Sequence, residues 1–162
     1  MALYGVTNVS ATTPTLNNVA TTVKTMLQAA AATATLRRAF IYEWKVGASG
    51  VPNATDCEIV WTIIKQTTAG TGGVALTVNA LDQSDAAAGT VCIGSLTAEP
   101  TGAETGVIDT LGANQRASYR WVVAPGGPGE IVVPATNLAG IGIRAKSSNY
   151  ASTVNVGMLF RE

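Results

Sequence analysis

Apolar and polar side chains change places at every second residue along most of this chain, and no stretch repeats them at the helical spacing over a helical length. Phe40, Tyr42, Trp44 and Val46 alternate with Ile41, Glu43 and Lys45, which predicts a strand with an aromatic inner face and a mixed outer face. Val23, Thr25 and Leu27 alternate with Lys24, Met26 and Gln28; Tyr119, Trp121 and Val123 with Arg120 and Val122; Ile141, Ile143 and Ala145 with Gly140, Gly142 and Arg144. In the last stretch Val154, Val156, Met158 and Phe160 share the inward face. The run from Cys57 to Gln66 departs from this pattern, with Ile59, Trp61 and Ile63 on one face and Val60 and Ile64 on the other. A strand apolar on both faces is buried on both. If the domain itself leaves one face bare, a subunit interface must cover it.

Between these strands the turn residues cluster, in "GASGVPNATD", "TTAGTGG" and "APGGPGE", where Gly, Pro, Asn and Asp supply the backbone angles a reversal needs. The alanine-rich stretch after Gln28 suits a helix or a turn equally. In "DQSDAAAG", Ser84 or Asp85 can cap one helical turn that Gly89 ends. Eight to ten short strands without a long amphipathic helix predict an all-β fold, an antiparallel β-sandwich, and among sandwiches a jelly roll. Residues 1–21, rich in Thr, Asn and Ser, read as an extended N-terminal arm ahead of a single domain over 22–162. Leu3, Tyr4, Val6 and Val9 give that arm apolar side chains suited to docking on a neighbour, and its removal is expected to leave the fold intact.

Composition narrows the function. A chain of 162 residues is one domain, able to bury roughly 70% of its unfolded surface. Charged residues make up 12%, against about 25% in an ordinary soluble domain, while apolar residues stand at 47%. With net charge +0 as well, little repulsion keeps copies apart, so much of this surface is expected to be covered by other subunits. The ten Lys and Arg residues are scattered, with no basic stripe to neutralise phosphates, so nucleic acid is not expected as a partner. Neither a membrane-spanning run nor a signal-peptide pattern is present, which predicts synthesis in a cytoplasm and no membrane association.

Catalytic chemistry is scarce. Without a histidine, the chain lacks the commonest general base and metal ligand, and no Ser-His-Asp or Cys-His arrangement can form. Cys57 and Cys92 lack metal-ligand spacing and read as buried free thiols, although an oxidising setting would leave a disulfide open. Asp82 and Asp85 fit a turn and cap better than a cation site, and Glu99 with Glu104 lacks any sign of a paired-carboxylate site. Neither glycine-rich stretch matches a phosphate loop. No enzyme activity, cofactor or metal is expected. Trp44, Trp61 and Trp121 alternate with aliphatic partners as core residues do, although exposed aromatics on a β face could also stack on sugars.

The phrases "TTVKTMLQ", "RRAFIYEWKVGASG", "CEIVWTIIKQTTAGTGG", "LTVNALDQSDAAA", "TAEPT", "EIVVPA" and "GIGIRAKSS" together resemble a group of small jelly-roll virion proteins of tailed bacteriophages. The resemblance covers about residue 21 to the C-terminus and implies a head decoration, or cement, protein. Such a protein assembles with itself as a trimer and binds the major capsid protein on the outer surface of the shell. On this reading the contacts are expected from Leu3, Tyr4, Val6 and Val9 of the arm, Val51 and Pro52 of one loop rim, and Pro125 and Pro128 of another. The alternative is a tail-fibre or carbohydrate-binding jelly roll that recognises the host surface.

Overall fold

The computed structural model describes residues 1–9, 17–18, 22–102, 106–151 and 153–162, of which 17–18 through the backbone alone. The described residues contain strands and no helix: β1 (Leu3–Thr7), β2 (Asn17–Asn18), β3 (Lys24–Ala31), β4 (Ala39–Ala48), β5 (Glu58–Gln66), β6 (Val74–Leu76), β7 (Asn79–Ala80), β8 (Thr90–Gly94), β9 (Val107–Asn114), β10 (Ser118–Val122), β11 (Ile131–Val133), β12 (Gly140–Lys146) and β13 (Thr153–Arg161). They form two antiparallel sheets. The first runs β10-β4-β13-β1-β7, with β11 further along β4 and β2 on β13; the second runs β6-β8-β3-β12-β5-β9. One core joins them, with Tyr4, Val6, Ile41, Trp44, Val156 and Phe160 from the first sheet against Leu27, Trp61, Ile63, Ile141 and Ile143 from the second. The expected antiparallel sandwich is the architecture found.

Alanine in Ala29–Ala31 continues β3 as a strand because the site is completely buried between β8 and β12, where only small side chains fit. The fit there is close. A Cβ placed on Gly140 would stand 2.1 Å from the Ala29 carbonyl oxygen, so glycine alone lets β12 begin there.

Strand β4 corrects the simple alternation. Leu159 and Phe160, adjacent on β13, face Glu43 and Ile41 on β4, so Tyr42 is an extra residue in a β-bulge. The bulge shifts the phase by one. Trp44 and Val46 face the core as expected, but before the bulge Ile41 is the core residue, 1% exposed, and Phe40 is half-buried outside it. Phe40 instead lies beneath the Arg161 guanidinium, 4.0 Å from ring centroid to Cζ.

The expected separation of residues 1–21 as an arm is also corrected over its first part. Residues 3–7 are extended, yet β1 is an interior strand paired on one side with all of Leu159–Arg161 and its continuation, and on the other with β7. Tyr4 and Val6 supply the reason, since burial of their side chains fixes them in this chain's own core. Tyr4 stacks on Phe160 with centroids 5.5 Å apart, and its hydroxyl donates to the Ala86 carbonyl at 2.9 Å.

The outer face of the two-faced strand β5 is covered within the chain at Ile64, while Val60 is half-buried. Ile64 is fully buried, so no partner is required to bury it. Next to it, the segments 67–73 and 95–102 lie over the outer face of the second sheet: the Gly70 amide donates to Gln28 Oε1, and Glu99 accepts from the Thr25 amide and hydroxyl while pairing with Arg144 at 3.6 Å.

Candidate interaction surfaces

Among the described residues, those with potential chemistry lie apart from one another. Among the described residues no three Cys, Asp or Glu side chains group as metal ligands would. Asp82 accepts from the Ser84 amide at 2.9 Å and the Ser84 hydroxyl at 2.7 Å, bonds that hold its carboxyl below the usual range. That is a turn held by its own side chain, and no helical turn follows it, because the three alanines continue in extended or bent backbone toward β8. Glu99 is engaged by Thr25 and Arg144; Glu104, its proposed partner, lies outside the described residues. Cys57 and Cys92 are free and buried, and burial pushes the Cys92 thiol up to about 12. Trp44 and Trp61 are core residues, each 2% exposed, while Trp121 is half-buried at a sheet edge.

The expected contact residues fall in three places. Tyr4 and Val6 are buried, Leu3 and Val9 half-buried, all at or next to the interior strand β1. Val51 and Pro52 project from the rim 49–55, Val51 at 81% exposure. That rim is rigidly held: buried Gln115 accepts from the Asn53 amide at 2.8 Å and donates to the Asn53 and Thr55 carbonyls, and the Tyr150 hydroxyl accepts from the Gly50 amide. Pro125 and Pro128 are exposed on the excursion between β10 and β11, where Glu130 accepts from the Gly126 amide and pairs with Arg161 at 2.6 Å. The two rims do not adjoin. One caps the end of the sandwich where β4 finishes; the other leaves the sheet edge halfway along β4.

Two further surfaces stand out, neither of them singled out by the sequence. The first is the edge between β9 and β10. Each of these strands pairs on one side only, β9 with β5 and β10 with β4, and a three-residue turn carries the chain from one sheet to the other. Between them Leu111 and Ala113 face Tyr119, Trp121 and Ile131, all packed on the core yet only partly buried. The gap widens into a cleft of about 870 Å³ walled by Val107, Ile108, Ile131, Val132 and Ile141, with Lys65 at its margin. The sandwich is not sealed here. Val107 and Val122, each about half exposed, extend the apolar surface outward.

The second is the outer face of the first sheet. Paired positions across an antiparallel sheet share a face, so one row reads Asn79, Gly5, Leu159, Glu43 and Val122, the next Thr7, Gly157, Lys45 and Arg120, and the third Asn155, Gly47 and Ser118. The three glycines leave a low trough, occupied as two clefts of about 250 and 410 Å³ that meet at Lys45. Glycine inside an alternating strand was the available signal for this surface.

Ion pairing neutralises part of the remaining charge. Arg120 donates to Glu43 at 2.6 Å, Arg161 to Glu130 at 2.6 Å and Arg116 to Asp56 at 2.7 Å, and each bond holds its carboxyl below the usual range. Together with Arg144 and Glu99, these pairs engage four of the chain's ten acidic and four of its ten basic residues. No protein-family model, curated protein or solved structure matches the chain.

Proposed function

We propose that this is a non-enzymatic structural protein of a tailed-bacteriophage particle, a decoration protein that oligomerises and binds the major capsid protein on the outer surface of the head. The observation that carries the reading is the surface: charge-poor, and interrupted by an apolar edge that its own fold leaves open. Surfaces of that kind are stable in water when another subunit covers them. A cement function needs only buried area, on the order of 1,200–2,000 Å² for a standard specific interface, and no catalytic group.

Topology supports the jelly-roll assignment. The strand orders β10-β4-β13-β1 and β3-β12-β5-β9 make two four-stranded halves that exchange successive strands, with β6, β7 and β8 as an insertion between β5 and β9. The resemblance in strand and turn phrases supplies the virion context. The sugar-binding alternative needs an exposed aromatic platform, and burial of Trp44 and Trp61 leaves for it only half-buried rings such as Phe40, Tyr119 and Trp121. The test is co-sedimentation of the purified protein with phage heads stripped of decoration. Saturable binding to heads is expected; absence of binding to heads, or binding to tails alone, overturns the reading.

A further inference from the structure

We infer that Asp109 guards the β9 edge: its carboxylate occupies the outward-facing Thr110 amide and holds a charge where another strand would dock, so that free copies of this chain do not pair edge to edge. The device concerns the free chain and does not depend on the decoration reading.

β9 is the edge that needs protection. Among the described residues its outer side has no neighbouring strand, and its eight residues exceed those of the other strands that end a sheet, β6 with three, β7 with two and β10 with five. Open strand edges template pairing with other chains, and proteins blunt them by shortness, proline, lysine or an inward-pointing charge. β6 and β7 are short, and β10 carries Arg120 at its centre. β9 has neither proline nor lysine, Val107 is 52% exposed and Ile108 39%, and Asp109 is the strand's one charged residue.

Backbone directions identify what Asp109 covers. Along a strand the peptide groups of alternate residues point to opposite sides. Just past β9 the Gln115 amide donates to the Cys57 carbonyl, so Gln115 faces β5, and with it Ala113, Leu111 and Asp109. Asn114, Gly112 and Thr110 therefore turn their peptide groups to the open side. The Asn114 carbonyl accepts the Ala117 amide as the chain turns, which confirms the direction. Thr110 lies midway along this outward set, and Asp109 Oδ1 accepts its amide at 2.8 Å. Asp109 itself stands in register with the core residue Ile63, on the inner side of the sheet, yet is exposed because the sandwich is open there. A strand adding to β9 needs the Thr110 amide for its own carbonyl. It has to displace the carboxylate, which then lies desolvated against the new strand. Two β9 edges meeting antiparallel across a two-fold axis also bring both Asp109 side chains onto one face of the joined sheet, where like charges oppose each other.

Sedimentation velocity on the full chain over a range of concentrations tests this, with Asp109→Ala, Asp109→Lys and the double variant Asp109→Ala/Thr110→Pro. Asp109→Ala is expected to grow beyond the wild-type species at a concentration about tenfold lower than the wild type does. Asp109→Lys, which keeps a charge on the edge, should match the wild type. Proline at 110 removes the outward amide and leaves the bonds to β5 intact, so the double variant should lose the added assembly. Far-UV circular dichroism checks the fold of each variant. Should Asp109→Ala unfold, Asp109→Asn, which keeps the acceptor and loses the charge, takes its place and is expected to assemble as well. A folded Asp109→Ala or Asp109→Asn with the wild-type distribution, an Asp109→Lys that assembles as readily as Asp109→Ala, or added assembly that persists in the folded double variant overturns the inference.

Discussion

The β-bulge at Tyr42 makes a sharp prediction, because it exchanges the roles of two neighbouring residues. Ile41→Ala removes the γ-methyl and ethyl carbons from an enclosed site among Trp44, Ile131 and Met158 of the first sheet and Ile63, Ile141 and Ile143 of the second. At about 0.8 kcal/mol for each of roughly three carbons, transfer alone costs about 2.4 kcal/mol, and the unfilled cavity raises this to about 3–4 kcal/mol. Phe40→Ala strips a larger side chain, but one already half in solvent. It loses a cation–π contact of about 0.5–1 kcal/mol and about 1 kcal/mol of partial burial, for a total near 1.5–2 kcal/mol. For a chain of this size each kcal/mol shifts Tm by about 2–4 °C, so Ile41→Ala should melt about 10 °C below wild type and Phe40→Ala about 5 °C below. Urea denaturation gives the free energies, with all variants at one protomer concentration because an oligomer's stability depends on it. If Phe40→Ala is the more damaging, the alternation runs unbroken through β4 and the bulge is wrong.

Deleting residues 1–9 removes an interior strand and exposes the faces that Tyr4 and Val6 bury, so the truncated chain should lose cooperative unfolding; a truncated form with an unchanged Tm would show that β1 is dispensable. Hydrogen bonds from Arg120 and Arg161 hold the Glu43 and Glu130 carboxyls below their ordinary 4.5, so the native state binds fewer protons there than the unfolded chain. Their stabilisation is complete above that value and is lost as pH falls through the lower native values: the urea midpoint should hold from pH 7 to about 5 and fall below about 4.5, less steeply in Glu130→Gln. A decline beginning above pH 6 would contradict this assignment. With its thiol pushed up to about 12 by burial, Cys92 should resist a disulfide reagent at pH 8 in the native protein and react in urea. Rapid native labelling mapped to Cys92 would refute its burial.

How far the sequence was legible depended on whether a signal was local. Period-two alternation placed β10, β12 and β13 with their inner faces, because side chains in a regular strand have nowhere else to point. It failed at Tyr42, since a bulge is a property of the pairing with β13 rather than of β4 alone. Composition misled at residues 1–9, where Thr and Asn suggested an arm although Tyr4 and Val6 alternate as a core strand should; their burial depends on Phe160, more than 150 positions away. Cover for Ile64 was equally non-local, supplied within the chain rather than by a partner. The interaction surfaces were nearly silent: charge depletion announced that something is covered, but the trough at Gly5, Gly47 and Gly157 exists only once three strands are side by side.

The central claim is attachment to a phage head as a ring of copies, and imaging the intact particle at a resolution that traces this chain tests it most directly. The account predicts two-sheet sandwiches on the outer surface of the shell, grouped about a symmetry axis. Density for this chain on the tail alone, or its absence from the particle, would contradict it.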